Sequence, residues 1–438
     1  MNAKTTATAE TAKTAENVAV SIRDLLNENV RLDPYPFYAS LHERGRQAVR
    51  LGPDERYAAA VFGFQAVDQI LRNPVFHTLE SGIADRGGTR WRDHLVLSTL
   101  QMSLFNAGGE DLLRLRRLFG QVFSPRRVAA MEPAIIRATD RNLDRLAAAG
   151  EGGRTVDFMS RFAVPLPADV VGELVGVPQE DRGWFPTRVR TFDAVLELGQ
   201  RSFRVLEAAD GAARELLDYF AGLLATRREE PRDDLVSALA QAHAEDPEQL
   251  GEAEMLANLV IFFNAGFRTT ANLLGSGLTL LLDRPDELRA LRDDPELCPA
   301  YVEEMLRYEP PVQFVTRYAA EDTDIEGVPI AKGQAVIILI GAANRDPRQF
   351  PAPDAFDPTR TDNRQIAFSA GPHYCLGAAL GRTEGRLIIP RLLARFPGIS
   401  LAGEPHGRRQ YFMRGYEQLP VEVPVRLTET ALQPHPPH

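Results

Sequence analysis

From near Glu252 to beyond Leu280 the chain runs without a proline and with apolar residues on every helical face. At 1.5 Å per residue such a helix is roughly 40 Å long, enough to cross a whole domain. A helix that is apolar all round must be covered on all sides, so the remaining chain has to pack around it. Near its middle, in the stretch NAGFRTTANLL, stands a permanent charge, Arg268. A charge inside a buried rod needs a partner or a ligand.

The rest of the sequence supplies the covering. Apolar residues recur at three- and four-residue spacing in QAVDQILRN, DLLRLRRLFGQVF, FRVLEAADGAARELLDYFAGLLATRR and SGLTLLLDRPDELRALRDD, which predicts further helices. Strand patterns are confined to RYAAAVF early and to VPIAKGQAVIILI and QLPVEVPV late. The expected fold is therefore mainly α with a small β region fed by both ends of the chain. No Gly/Ser linker, repeat or low-complexity tract divides residues 20–427, which predicts one large domain with room for a buried cofactor. The flanking segments 1–19 and 428–438 have the composition of disordered tails. Between His77 and Gly109 the periodicity breaks up, and a long irregular loop is expected there; such loops inside compact domains are often functional.

Charge and cysteine content exclude several functions. The net charge of −10 argues against a nucleic-acid-binding surface. No apolar run reaches the roughly 18 residues of a membrane span. Two cysteines, Cys298 and Cys375, cannot build a disulfide framework, and with no secretory signal the expected location is the reducing cytoplasm, as a monomer.

The densest chemistry lies in FSAGPHYCLGAALGRTEGRLIIPRLLARF, which starts at Phe368. Cys375 follows a loop of small residues and precedes a helical run, where free backbone N–H groups and the helix dipole favour a thiolate. Gly371 and Gly377 lack a Cβ and allow close approach of a flat cofactor. His373 is placed to donate to an acidic group on it. No second cysteine or paired histidine lies at zinc-ligand spacing. On these grounds alone Cys375 is either a haem ligand or a buried structural cysteine.

The pattern F-S-A-G-P-H-Y-C-L-G resembles the haem-binding loop of the cytochrome P450 superfamily, F-G-x-G-x-H-x-C-x-G. The resemblance extends from LDPYPFYASLHERG at Leu32 to the final strand, with EEMLRYEPPVQFVTR and AANRDPRQFPAPDAFDPTR in the family's order. It implies the P450 fold, haem b (iron protoporphyrin IX) as cofactor, and Cys375 as the axial iron ligand, whose thiolate favours O–O cleavage. It assigns Arg116, Arg317 and His373 to the haem propionates and Phe368 to the cofactor-facing loop. Glu304 and Arg307 match the family's E-x-x-R pair, a buried structural lock. Two departures stand out. The usual propionate histidine is Leu112, and the arginine of the P-x-R-F segment is Ala355, for which Arg360 is the available substitute.

By the same resemblance, Ala265, Gly266 and Thr269 lie over the oxygen-binding side of the haem. Ala265 and Thr269 are four residues apart and share one face. Thr269 either holds a water or bonds back to the carbonyl four residues earlier. The acid that usually precedes this threonine is Arg268, which does not deprotonate and cannot carry protons. Three roles are open to Arg268: an ion pair with an acid on a neighbouring helix, a contact to a carboxylate or carbonyl of the substrate, or a mark of altered chemistry.

The resemblance places the substrate pocket above the haem, with Trp91, Met102, Phe105, Phe262, Asn264, Val312, Phe314 and Phe412 as candidate contacts. The implied activity is insertion of one oxygen atom from O2 into a small organic molecule, by hydroxylation or epoxidation, in specialised metabolism. Electrons would come from a separate ferredoxin and ferredoxin reductase. Two other readings remain: a haem-thiolate oxidase with an atypical outcome such as coupling or desaturation, and a non-catalytic haem-binding helper or sensor.

Overall fold

A computed structural model of the chain describes residues 20–52, 56–79, 90–198 and 202–424. Both expected tails, and residues 80–89 of the expected loop, lie outside these residues. The helices that build the site are, in chain order, α1 (Leu95–Gln101), α2 (Gly109–Gly120), α3 (Pro125–Ala149), α4 (Pro165–Val175), α5 (Phe185–Asp193), α6 (Phe203–Glu229), α7 (Glu252–Leu282), α8 (Cys298–Tyr308) and α9 (Ala378–Arg395).

Local sequence sets their ends. Ser124 caps α3 by accepting the Arg127 N–H, with Pro125 at the first helical position. Ser202 does the same for α6 through the Val205 N–H. Glu252 and Glu254 sit in the first turn of α7, where they oppose the positive end of the dipole. The chain leaves α7 at Asp283, just before Pro285, which disfavours helical geometry in the residue preceding it. The single run SGLTLLLDRPDELRALRDD therefore forms two helices, the end of α7 and Pro285–Asp293.

The expected central rod is α7, 31 residues long. It packs against α4, α6, α8 and α9. From Met255 to Leu281 every residue is buried except Leu256, Ala265, Gly266 and Thr269. Apart from Leu256 near its start, the helix is thus open at one place, halfway along.

The early and late strand signals meet in one five-stranded sheet, β1 (Ala48–Arg50), β2 (Tyr57–Val61), β3 (Phe76–His77), β4 (Phe314–Ala319) and β5 (Ala335–Leu339), in the order β1-β2-β5-β4-β3. β5, reading AVIIL, is buried throughout, as a central strand covered on both faces should be. It pairs in parallel with β2 and antiparallel with β4. Pro420–Glu422 joins Val156–Asp157 and Ser400–Leu401 in a separate three-stranded sheet.

The region expected to be irregular between His77 and Gly109 is only partly so. It contains a turn of 3-10 helix at Trp91–Asp93 and the helix α1. The sequence LVLSTLQ is too short for its periodicity to stand out, and Asp210 on α6 fixes its start by accepting the Val96 N–H.

Candidate active site

A cavity of about 890 Å³ lies between the middle of α7 and the loop that carries Cys375. One wall is Ala265, Gly266 and Thr269; the opposite wall is Phe368, Cys375 and Gly377. β4 closes one side with Phe314 to Tyr318. The open stretch of α7 and the cysteine face the same space, although 106 residues of chain separate Thr269 from Cys375.

The cysteine loop is tied at its base. The Cys375 N–H donates to the Phe368 carbonyl at 2.9 Å. Gly371 has φ +66, and a Cβ there would lie 2.4 Å from the Leu71 carbonyl oxygen. That glycine is required by packing on the neighbouring helix Phe64–Arg72, and it lines a small outer groove instead of the main cavity, a correction to the expected cofactor contact. Cys375 presents its surface to the cavity but sits deep in the protein. Burial pushes its thiol up, while the Gly377 N–H, Arg116 and Arg382 oppose that shift. A cation bound at the sulfur would reverse the balance.

Three cationic or polar groups converge beside this loop. Arg317 on β4 is 5% exposed and gives one hydrogen bond, to the Thr316 carbonyl at 2.8 Å. Burial pulls its guanidinium down to about 10. Arg116 on α2 donates to the Tyr374 carbonyl at 2.8 Å. His373 is driven down to about 3 by burial and then by Arg317 and Arg116, so it is a neutral donor. None of the three bonds a carboxylate among the described residues. A buried cation, a half-buried one and a neutral donor, none of them bonded to an acid, fit a ligand that brings its own, and the two acidic arms of haem are such a ligand. Leu112, at the position of the missing histidine, is packed as core.

The loop is positioned from behind by α8. Arg307 donates to both Glu304 carboxylate oxygens, at 2.8 and 2.7 Å, and both side chains have no exposed surface. The remaining Arg307 donors reach the carbonyls of Asn344, Pro353 and Ala355. Glu304 also accepts from the Asp357 N–H and from Asn363. Arg360 lies 3.6 Å from Glu304 and donates to the Pro351 and Ala352 carbonyls. It therefore supplies the second cation that Ala355 cannot. Asn344 links this cluster to the segment leading into the cysteine loop by accepting the Ile366 N–H.

On α7, Thr269 donates back to the Ala265 carbonyl at 2.9 Å. Gly266 lines the cavity, yet a Cβ on it would also come within 2.7 Å of Val171, so α4 needs that glycine as much as the cavity does. Arg268 lies outside the cavity wall. It is buried and donates to Asp193 at the end of α5, whose other oxygen accepts from Asn264. This geometry is the first of the three roles open to Arg268, an ion pair with a neighbouring helix, and it removes both Arg268 and Asn264 from substrate contact.

Of the other pocket candidates, Phe105, Phe262, Val312, Phe314 and Phe412 line the cavity. Trp91 and Met102 do not: Trp91 is buried in a hydrophobic cluster off the cavity wall, on a turn that packs against α1, and Met102 forms the C-cap of α1. Sequence reasoning missed Asp193, Glu197 and Glu384. Glu384 lies on the wall, 2% exposed, and accepts from Thr270 at 2.9 Å. Burial raises its carboxyl to about 8. Its place nine residues after Cys375 in a helix was legible, but what α9 faces at that point was not. Among the described residues no three His, Cys, Asp or Glu side chains form a metal site, and no helix is long and apolar enough to cross a membrane.

Comparison with known proteins identifies the family. The sequence model of the family Cytochrome P450 matches residues 191–403. Cytochrome P450 107B1 of Saccharopolyspora erythraea is 42% identical over 322 residues, covering 73% of this chain and 76% of that protein. The 6-deoxyerythronolide B hydroxylase of the same organism is 39% identical over 320 residues, covering 71% and 75%. Among solved structures, P450BioI in complex with hexadec-9Z-enoic acid ligated acyl carrier protein superposes with a TM-score of 0.81 at 32% identity, covering 90% of this chain and 99% of that one.

Proposed function

The chain belongs to the cytochrome P450 family, and from that premise we propose that this monooxygenase binds haem b on Cys375 and hydroxylates or epoxidises a small, largely apolar molecule of specialised metabolism. One observation carries the reading: the cysteine loop faces the only mid-helix opening of α7, with the buried Arg317 guanidinium, which bonds no acid among the described residues, beside it. Bound there, haem supplies the chemistry that activates dioxygen against a C–H or C=C bond.

The chain's own residues do the rest. Arg116, Arg317 and His373 hold the acidic arms, and Glu304 with Arg307 and Arg360 fixes the loop that presents the thiolate. Ala265 leaves space for a diatomic ligand beside Thr269. Monooxygenation consumes two protons as RH, O2, two protons and two electrons give ROH and water, so protons must enter a closed cavity. Arg268 cannot release one. Glu384 is a buried acid on the cavity wall whose raised pKa keeps it protonated near neutrality, and the Thr270 hydroxyl connects it to α7. The apolar wall of Leu97, Leu100, Ile261, Val312 and Phe412 excludes water and favours a neutral substrate.

A separate ferredoxin with its reductase is the proposed electron source. The exposed Arg117 on α2, next to the haem-side Arg116, suits an acidic partner approaching from the cysteine side. A substrate delivered on a carrier protein, as in the P450BioI complex, is the second reading, favoured only by that structural likeness.

The test is the absorption spectrum of the reduced carbonyl complex. The wild-type holoprotein should show the thiolate-type band and Cys375→Ala should lose it. Survival of the band in the variant would refute the ligand assignment. Substrate-dependent consumption of reductant with ferredoxin and reductase distinguishes the enzyme from a haem-binding helper.

A further inference from the structure

Between α5 and α6 the chain contributes Val195, Leu196, Glu197 and Ser202 to the roof of the cavity, and three carboxylates on this unit grip three different parts of the surrounding structure. Asp193 takes Asn264 and Arg268 of α7. Asp210 takes the Val96 N–H at 2.9 Å and lies 2.8 Å from His94 Nδ1, both at the start of α1. Glu197 takes the Tyr411 N–H at 2.7 Å and the Phe412 N–H at 3.1 Å. The first two carboxylates meet a cation or an imidazole. Glu197 meets two backbone amides, and it is the one of the three that lines the cavity itself.

Glu197 closes the short turn Ala194–Leu196, whose Val195 and Leu196 project into the cavity. Phe412 lines it from a turn more than two hundred residues later in the chain. That turn is held in its own right by the stacking of Tyr411 on Phe314, ring centroids 5.4 Å apart, and by the Gln313 N–H donating to the Phe412 carbonyl at 3.0 Å. The turn is thus fixed from the β4 side, and Glu197 is what fastens the roof to it.

We propose that Glu197 is a positioning residue that sets the size of molecule the cavity admits, by fixing Leu196 and Phe412 relative to one another. A carboxylate is needed because both contacts are donors: Glu197 presents two acceptor oxygens to two N–H groups. Glutamine at this position keeps the shape but turns one acceptor into a donor that faces an amide N–H, so one contact opens. The roof then separates from the turn while Asp193 and Asp210 keep it attached elsewhere.

The inference deepens the monooxygenase reading and rests on it for one of two readouts. The first is the dissociation rate of azoles from the ferric holoprotein, followed by the haem absorption band. In Glu197→Gln the rate for a bulky azole such as econazole should rise roughly tenfold, the equivalent of one hydrogen bond to a charged group, while the rate for imidazole should change less than about twofold. The size dependence separates positioning from general destabilisation. Equal acceleration of both ligands, or of neither, overturns the proposal.

The second readout is hydrogen exchange at the amides of Tyr411 and Phe412. In wild type these should gain protection when econazole binds and not when imidazole binds; in Glu197→Gln they should lose protection in the free protein. Unchanged protection in the variant overturns the proposal. Were the variant not to fold, the wild-type comparison of the two azoles decides alone. If wild type gave no azole-induced band shift, the haem-thiolate reading would fall, and the exchange comparison between wild type and variant would still judge Glu197.

Discussion

Arg268 and Asp193 form a buried ion pair that joins the middle of the central helix to the end of α5. The pair places a permanent cation where an acid usually precedes the distal threonine, and turns it away from the cavity. The charge is structural here, and its partner arrives from 75 residues away.

Removing one member leaves the other buried without compensation, which costs about 3–5 kcal/mol. Arg268→Met and Asp193→Asn should each lower the denaturation midpoint strongly, and the double variant should lose much less than their sum. Additive losses in that cycle would mean the two charges are not coupled.

Since Arg268 does not line the cavity, carboxylic acids gain nothing from it. Titrating the ferric holoprotein with acids and with their methyl esters should shift the haem band equally well, or better for the esters. A response restricted to acids that is lost in Arg268→Met would contradict the pairing with Asp193, whereas one that persists in that variant would place the recognising cation elsewhere on the wall, at Arg56.

The cluster around Glu304 is graded. Arg307 fills five bonds inside it, whereas Arg360 approaches Glu304 only to 3.6 Å. Glu304→Gln or Arg307→Met should therefore abolish haem retention or cost about 3–5 kcal/mol, and Arg360→Ala about 1 kcal/mol. The haem-to-protein ratio after purification measures this. Full retention in Arg307→Met would disprove a positioning role for the pair.

Glu384 predicts a pH dependence with a definite sign. Its folded pKa of about 8 lies above the ordinary carboxyl value of 4.5, so the folded chain binds the proton more tightly than the unfolded one. Between about pH 5 and 8 the folded state holds more protons, and stability falls as pH rises, by up to about 1.4 kcal/mol per unit. Glu384→Gln has no such proton. The stability of wild type relative to this variant should thus decline across that window; a flat difference would show that Glu384 is already ionised at pH 5.

The cysteine side of the cavity was legible in the sequence because its groups are local. Cys375, His373 and Phe368 share one loop, Glu304 and Arg307 share one helical turn, and Ala265 and Thr269 share one face; short-range geometry fixes such relations before the chain folds. The central helix was legible for the same reason, since 31 residues of continuous apolar character admit only a covered rod. The partner of Arg268, the replacement of the missing arginine by Arg360, the departure of Trp91, Met102 and Gly371 from the expected wall, and the grip of Glu197 on a distant turn were decided only by tertiary structure. Each depends on two segments far apart in sequence meeting at a distance of a few ångströms, and a single chain carries no local record of what will stand opposite a buried side chain.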